Sequence, residues 1–357
     1  MQRFYGSVLL IVMTPAVLLM NVYAWSGLQP FATDLTRVGG FPEEDFGWSG
    51  IEYKFAEPPV PYIKGEGVYE AYTDIVVFGD SFSQRKDSSW ISHFVNATGL
   101  SAQVMHYDQG GIERVVDTDL YRTRPPRVVI FEILERMLLK TFRKEPVECR
   151  LSDPGVLLPA DFEPLEIPLV EYLRDTNRRY GDYKLAAKII RNRLLLLAGQ
   201  EEKIKPRIAK LTADTLFSHR KSGKLLYFKG DLEKREWPEN LSSKIRCGLE
   251  RIRQQTEANS YTAFAVMLVP DKLSIYSPWL VDSSKANLTL LDDRILTTIP
   301  HSLDIRTMAV REVEHGFVDF YLPGDTHWSS KGDRQVAQWM VELFRANSEL
   351  NQQGSGE

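Results

Sequence analysis

Cysteine and histidine are scarce in this chain of 357 residues, with two and six copies. Neither Cys149 nor Cys247 has a second cysteine or a histidine at ligand spacing, so no structural or catalytic metal is expected. An excess of one charge is also missing. Lys and Arg number 44 against 48 Asp and Glu, a net charge of −4, which argues against nucleic-acid binding as the main task. There is no internal repeat. Hydrophobic content of 43% and charged content of 26% are ordinary for a globular protein with a sizeable core.

The compositional anomaly lies at the N-terminus. After Met1-Gln2-Arg3, an uncharged apolar run extends from about Tyr5 to Trp25. Its length suits either a membrane anchor or a signal peptide cleaved after Val22-Tyr23-Ala24. Arg3 and the free amine favour a cytoplasmic N-terminus. Both alternatives place the remainder outside the cytoplasm, in the periplasm or an equivalent space. Export would permit a disulfide between Cys149 and Cys247; two buried thiols are the other reading.

Residues 1–25 are thus expected as a signal anchor or signal peptide, a buried core helix being the lesser alternative. Residues 26–72, rich in Pro, Gly and aromatics, read as a linker or extension, with Glu57-Pro58-Pro59-Val60-Pro61 extended. The folded domain is expected over 73–346, with a polar tail from 347 to 357. Asp74–Phe78, Ala102–Tyr107, Arg127–Ile133 and Thr262–Pro270 are short apolar runs typical of buried strands. Helical spacing follows the first run at Ser88–Val95, and Val115–Tyr121 suits another helix. This alternation predicts an α/β fold with a parallel sheet and helices on both faces. From about 141 to 260 the alternation lapses, and a largely helical insert is expected. It would include Tyr183–Leu197, a second helix over Pro206–Phe217 with the proline in its first turn, and a strand and turn over Leu225–Asp231. Ser330-Lys331-Gly332-Asp333 reads as a capping box before the last helix.

Two short segments carry chemistry. Gly79-Asp80-Ser81-Phe82 places a serine at the carboxyl end of a buried strand, where open α/β sheets put their active sites. A following helix would add free amides close to it. Asp325-Thr326-His327-Trp328 supplies a carboxylate that reaches Nδ1 of an imidazole, leaving Nε2 for the serine. Ser81, His327 and Asp325 therefore form a candidate catalytic triad, with Trp328 packed beneath its loop. Arg85, one turn after the serine, is a lesser candidate. His93, His106, His219, His301 and His315 show no partner at useful spacing.

These two blocks resemble those of the SGNH (GDSL-type) hydrolase superfamily. More narrowly, the chain resembles the AlgJ/AlgX-like polysaccharide O-acetyltransferases. Further likenesses are the Asp-x-His-Trp form itself, Glu132-x-x-Glu135-Arg136, and Val269-Pro270-Asp271-Lys272 with Tyr276. The resemblance covers roughly 70–140 and 260–345. It implies a three-layer, flavodoxin-like sheet and an exported O-acyltransferase acting on a cell-surface or secreted polysaccharide. Acetyl is the expected acyl group, delivered by a membrane-bound acyltransferase partner and without a cofactor. A glycan esterase and a non-catalytic polysaccharide-binding scaffold are the alternatives. The serine block comes first here, as in ordinary SGNH enzymes, whereas the alginate proteins carry Asp-x-His-Trp first, so the alginate substrate does not transfer. The third SGNH block usually supplies an oxyanion-hole asparagine, and Glu132 occupies that strand end instead. The hole then falls to the amides of Ser81 and of Gly110 or Gly111, helped by Arg136. Glu132, Glu135 and Arg136 are expected as an internal ion cluster or as substrate contacts. Lys272 and Tyr276 are expected to bind a sugar or an acidic group, or to have a structural role.

Overall fold

A computed structural model describes residues 11–20, 33–41, 43–48, 51–59, 68–84, 88–106, 111–151, 155–172, 183–286 and 299–354. Its centre is a five-stranded parallel sheet in the order β3-β2-β4-β8-β9. The strands are β2 (Ile75–Gly79), β3 (Ala102–His106), β4 (Val128–Leu134), β8 (Ala263–Val269) and β9 (Ser302–Leu303). Every residue of β2, β4 and β8 is buried, as continuous apolar runs require when both faces of a sheet are covered.

The side-chain alternation divides the core. Ile75, Val77, Ile130, Ala265 and Met267 face α2 (Trp90–Thr98) and α6 (Ser330–Gly354) through Trp90, Phe94, Met340 and Phe344. Val76, Phe78, Val129, Phe131 and Val266 face α4 (Leu241–Glu257) through Ile245, Leu249 and Ile252. The molecule is thus α/β, with helices on both sides of a parallel sheet. Cys149 and Cys247 are disulfide-bonded, with Cα atoms 5.5 Å apart, and tie α4 to a segment 98 residues earlier.

Three regions differ from expectation. Residues 33–48 are not a linker. They form α1 (Asp34–Gly39) and a short helix, Glu43–Phe46, with Leu35, Phe41 and Phe46 buried. A little further on, β1 (Glu52–Phe55) pairs antiparallel with β5 (Leu169–Tyr172). The absence of local periodicity hid a segment whose order comes from contacts distant in sequence. Residues 141–260 hold α3 (Tyr183–Leu197), α4 and, where a strand is expected, β7 (Lys224–Phe228), but also β5 and β6 (Pro206–Lys210), which pairs with β7 in an antiparallel ribbon. The helix expected from Pro206 is therefore a strand. Proline is tolerated as a first strand residue as well as in a first helical turn, and pairing with Leu225–Phe228 decides between them. Thirdly, the last helix begins at Ser330 and is capped by the residue before, whose Oγ accepts from Gly332 N at 3.2 Å. Ser330 instead binds β1: it donates its amide to Glu52 Oε2 at 3.0 Å and accepts from Tyr53 N at 3.1 Å.

Residues 11–20 are helical and almost wholly exposed. Among the described residues no helix is long and apolar enough to cross a membrane. Residues 1–10 and 21–30, the flanks of the apolar run, lie outside the described residues.

Candidate active site

Parallel strands put the loops that follow them at one sheet edge. The turn after β2 carries Asp80, Ser81 and Phe82, and Ser81 is exposed on it. Asp80 Oδ1 accepts from Phe82 N at 2.9 Å and Asp80 O from Ser83 N at 3.2 Å, which closes the turn. Helix α2 starts only at Trp90, so Ser81 does not sit at a helix N-terminus as expected.

The candidate acid–base residues lie on a loop pinched at its base. Tyr321 and Trp328 form an antiparallel bridge, Leu322 N donates to His327 O at 3.0 Å, and Ser329 N to Phe320 O at 3.0 Å. Trp328 is fully buried, as expected, and packs on Phe82 with ring centroids 4.7 Å apart. Phe82 also contacts the His327 ring at 4.9 Å, so one buried aromatic joins the nucleophile turn to the acid–base loop. His327 Nε2 lies 2.7 Å from Ser81 Oγ, and His327 Nδ1 lies 2.7 Å from Asp325 Oδ1. Asp325 is acceptor-only when ionised, which assigns the proton to Nδ1 and leaves Nε2 to accept from the serine. Thr326 N at 2.7 Å also donates to Oδ1, and Asp34 N at 3.3 Å to Oδ2. Thus α1 delivers an amide to the triad carboxylate, and Leu35 N reinforces this by bonding Gly324 O at 2.9 Å.

Lys272 and Tyr276 are buried and hold this loop from beneath, on α5 (Lys272–Tyr276). Lys272 Nζ donates to the carbonyls of Leu322 at 2.8 Å, Pro323 at 2.5 Å and Asp325 at 3.2 Å. Burial pulls its pKa down to about 7, against the opposing pull of Asp325 and Asp319. Three carbonyl acceptors match the three protons of an ammonium, so these bonds oppose the burial and are fully made only while the lysine is charged. Tyr276 Oη accepts from Tyr321 N at 3.3 Å.

Glu135 and Arg136 lie in a buried ion cluster with residues that no motif marked, and Glu132 is not part of it. Lys234 Nζ, fully buried, bonds Glu135 at 2.9 Å and Asp271 at 2.8 Å, and Arg136 bonds Asp271 at 2.6 Å and Asp231 at 3.4 Å. Burial pushes Asp231 up to about 7, aided by repulsion from Asp271. Asp271 is held below its usual value, because Lys234 and Arg136 outweigh its burial. The cluster fastens the ends of β4 and β8 to the ribbon below the acid–base loop. Lys234 and Asp231 carry no motif and were not among the expected site residues.

Glu132 is fully buried under the nucleophile turn. Of the other expected residues, Arg85 and Gly110 lie outside the described residues, and Gly111 is exposed on the loop after β3. Asp34, Asp325 and His327 offer three ligand atoms within 4.8 Å of one another. Asp34 is already paired with Arg37 at 2.5 Å and Asp325 with His327, so the hydrogen-bonded triad explains the group. In comparisons with protein-family models, curated proteins and solved structures, the chain finds no match.

Proposed function

We propose that the protein is an exported serine O-acyltransferase of the SGNH type, with a cell-surface or secreted polysaccharide as acceptor and acetyl as the group moved. The observation that carries this reading is the continuous chain from Ser81 Oγ to His327 Nε2 and from His327 Nδ1 to Asp325, each link 2.7 Å long. A serine hydroxyl needs such a base to become a nucleophile, and the carboxylate fixes the base's tautomer. The SGNH reading also draws on the two sequence blocks and on the parallel sheet that brings them together. Export is supported by the apolar N-terminus and by the disulfide, which persists in oxidising compartments.

In the first half-reaction Ser81 Oγ attacks the acyl carbonyl as His327 Nε2 takes its proton. Collapse of the tetrahedral adduct breaks the bond to the donor's leaving oxygen, which receives that proton from His327. A sugar hydroxyl then repeats the sequence on the acyl-enzyme, passing its proton through His327 to Ser81. Asp325 stabilises the imidazolium in both halves. The oxyanion is assigned to the Ser81 amide and to the loop containing Gly110 and Gly111. Each such donor is worth about 10²–10³ in rate. The donor is expected from a membrane-bound acyltransferase, with anchoring through the N-terminal segment.

One observation favours an esterase as the second reading: Ser81 is exposed, so water has access to the acyl-enzyme. Rates on a small acetyl ester with and without an oligosaccharide separate the two. Transfer predicts acetylated oligosaccharide and a faster turnover when the acceptor is present. An esterase releases acetate at a rate indifferent to the acceptor. An unchanged polysaccharide acylation phenotype in cells carrying Ser81→Ala would remove both readings and support the non-catalytic polysaccharide-binding scaffold.

A further inference from the structure

The end of β4 presents a carboxyl group where the nucleophile turn needs a foundation. Glu132 has no exposed surface. Its Oε2 is in direct contact with Ser83 Oγ, and Oε1 lies 3.4 Å from Asp80 N. Trp90 Nε1 donates to Ser83 Oγ at 2.9 Å and lies 3.4 Å from Oε2. Indole is a donor only, so Ser83 accepts from it and passes its own proton towards Glu132. A Cβ at position 79 would lie 2.6 Å from Oε2, so a glycine is required for the turn to close over this carboxyl.

No lysine or arginine pairs with Glu132 among the described residues, and the titratable group acting on it is Asp80, itself buried and acidic. An unpaired carboxylate in such a place carries a desolvation penalty of about several kcal/mol. Two neighbouring carboxylates do not both ionise readily, and one of them keeps a proton. Burial, and next the charge of Asp80, push the pKa of Glu132 well above the usual carboxylate range.

We propose that Glu132 is a neutral carboxylic acid hydrogen-bonded to Asp80, and that in this form it is the positioning residue for the turn carrying Ser81. The proposal rests on the reading of Ser81 as nucleophile. An ionised Glu132 would repel Asp80, whose carboxylate and carbonyl close the turn on either side of the serine. The neutral acid removes that repulsion and leaves Oε2 free to take the Ser83 and Trp90 contacts.

The test uses the full chain and its Glu132→Gln, Glu132→Ala, Asp80→Asn and Ser81→Ala variants. Infrared difference spectra at neutral pH are expected to show the carbonyl stretch of a protonated carboxylic acid in the parent and in Ser81→Ala. Glu132→Gln should lack it. Acetylation of Ser81 by p-nitrophenyl acetate should stay within about tenfold in Glu132→Gln, whose amide is neutral and still donates, and fall by about 10² or more in Glu132→Ala as the turn shifts. An empty difference spectrum between parent and Glu132→Gln would overturn the proposal. So would a band removed by Asp80→Asn and kept in Glu132→Gln, or a folded Glu132→Gln as slow as Glu132→Ala. If Glu132→Ala does not fold, the isosteric Glu132→Gln still decides. If the parent itself takes no acetyl group, the Ser81 reading fails while the infrared band still reports on Glu132.

Discussion

The two halves of the triad are supported in opposite ways. The nucleophile turn, Gly79–Ser83, rests on a carboxyl and an indole, through contacts to the neighbouring strand and to α2. The acid–base loop rests on a buried lysine below and on α1 above. The first platform sits within the β2–α2–β4 unit. The second is assembled from parts of the chain almost 300 residues apart. A motif therefore names the candidate reacting atoms, but the groups that position them come from elsewhere in the fold.

The comparison is broken most severely at the shared centre. Asp325→Asn should lower Ser81 acylation by about 10⁴-fold with the fold intact, because the wrong imidazole tautomer then faces the serine. Circular dichroism and acylation kinetics together check this. Removing the disulfide touches neither platform. Cys149→Ser with Cys247→Ser should cost about 2–5 kcal/mol in denaturant unfolding, while the acylation rate of the remaining folded protein stays near the parent's.

Lys272→Met sharpens the contrast, since it attacks the acid–base loop alone. It strands three carbonyls and should cost about 1–3 kcal/mol of stability. A lysine whose folded pKa is depressed to about 7 makes stability rise with pH from there to its ordinary value, about 10.4. Over that window the unfolded chain holds the extra proton. Stability against pH should therefore climb above neutrality in the parent, and this component should vanish in Lys272→Met. Activity moves the other way, because a neutral amine has two protons for three carbonyls. The smallest effect is expected from Asp34→Pro. Proline suits the first helical position, and Thr33 before it is extended at φ −127° and ψ 153°. Only the amide donated to Asp325 and a surface ion pair are lost. The acylation rate should drop about three- to tenfold, with an unchanged unfolding midpoint.

The sheet and the triad were legible because each has a local signature. Four apolar runs marked β2, β3, β4 and β8, and the two blocks named Ser81, Asp325 and His327. The two-residue strand β9 is too short to show a pattern. Pro206 satisfies both helix and strand rules, and only its partner strand chooses. The role of residues 33–48 depends on contacts such as Leu35 N to Gly324 O, which leave no period in the sequence. Lys234 bonds Glu135 and Asp271, and neither neighbour is near it in the chain, so the cluster emerges only once β4 and β8 lie side by side. Glu132 stands at the strand end where the resemblance implies an asparagine. Its pairing with Ser83, two residues beyond the nucleophile, came from the fold.

The central claim is that Ser81 is the nucleophile served by His327. Its most direct test is mass spectrometry of the protein after brief exposure to an activated acetyl ester. The account predicts one acetyl group on the peptide containing Ser81, absent in Ser81→Ala and strongly reduced in His327→Ala. A folded parent that gains no acetyl group there, or that gains it equally without His327, would contradict it.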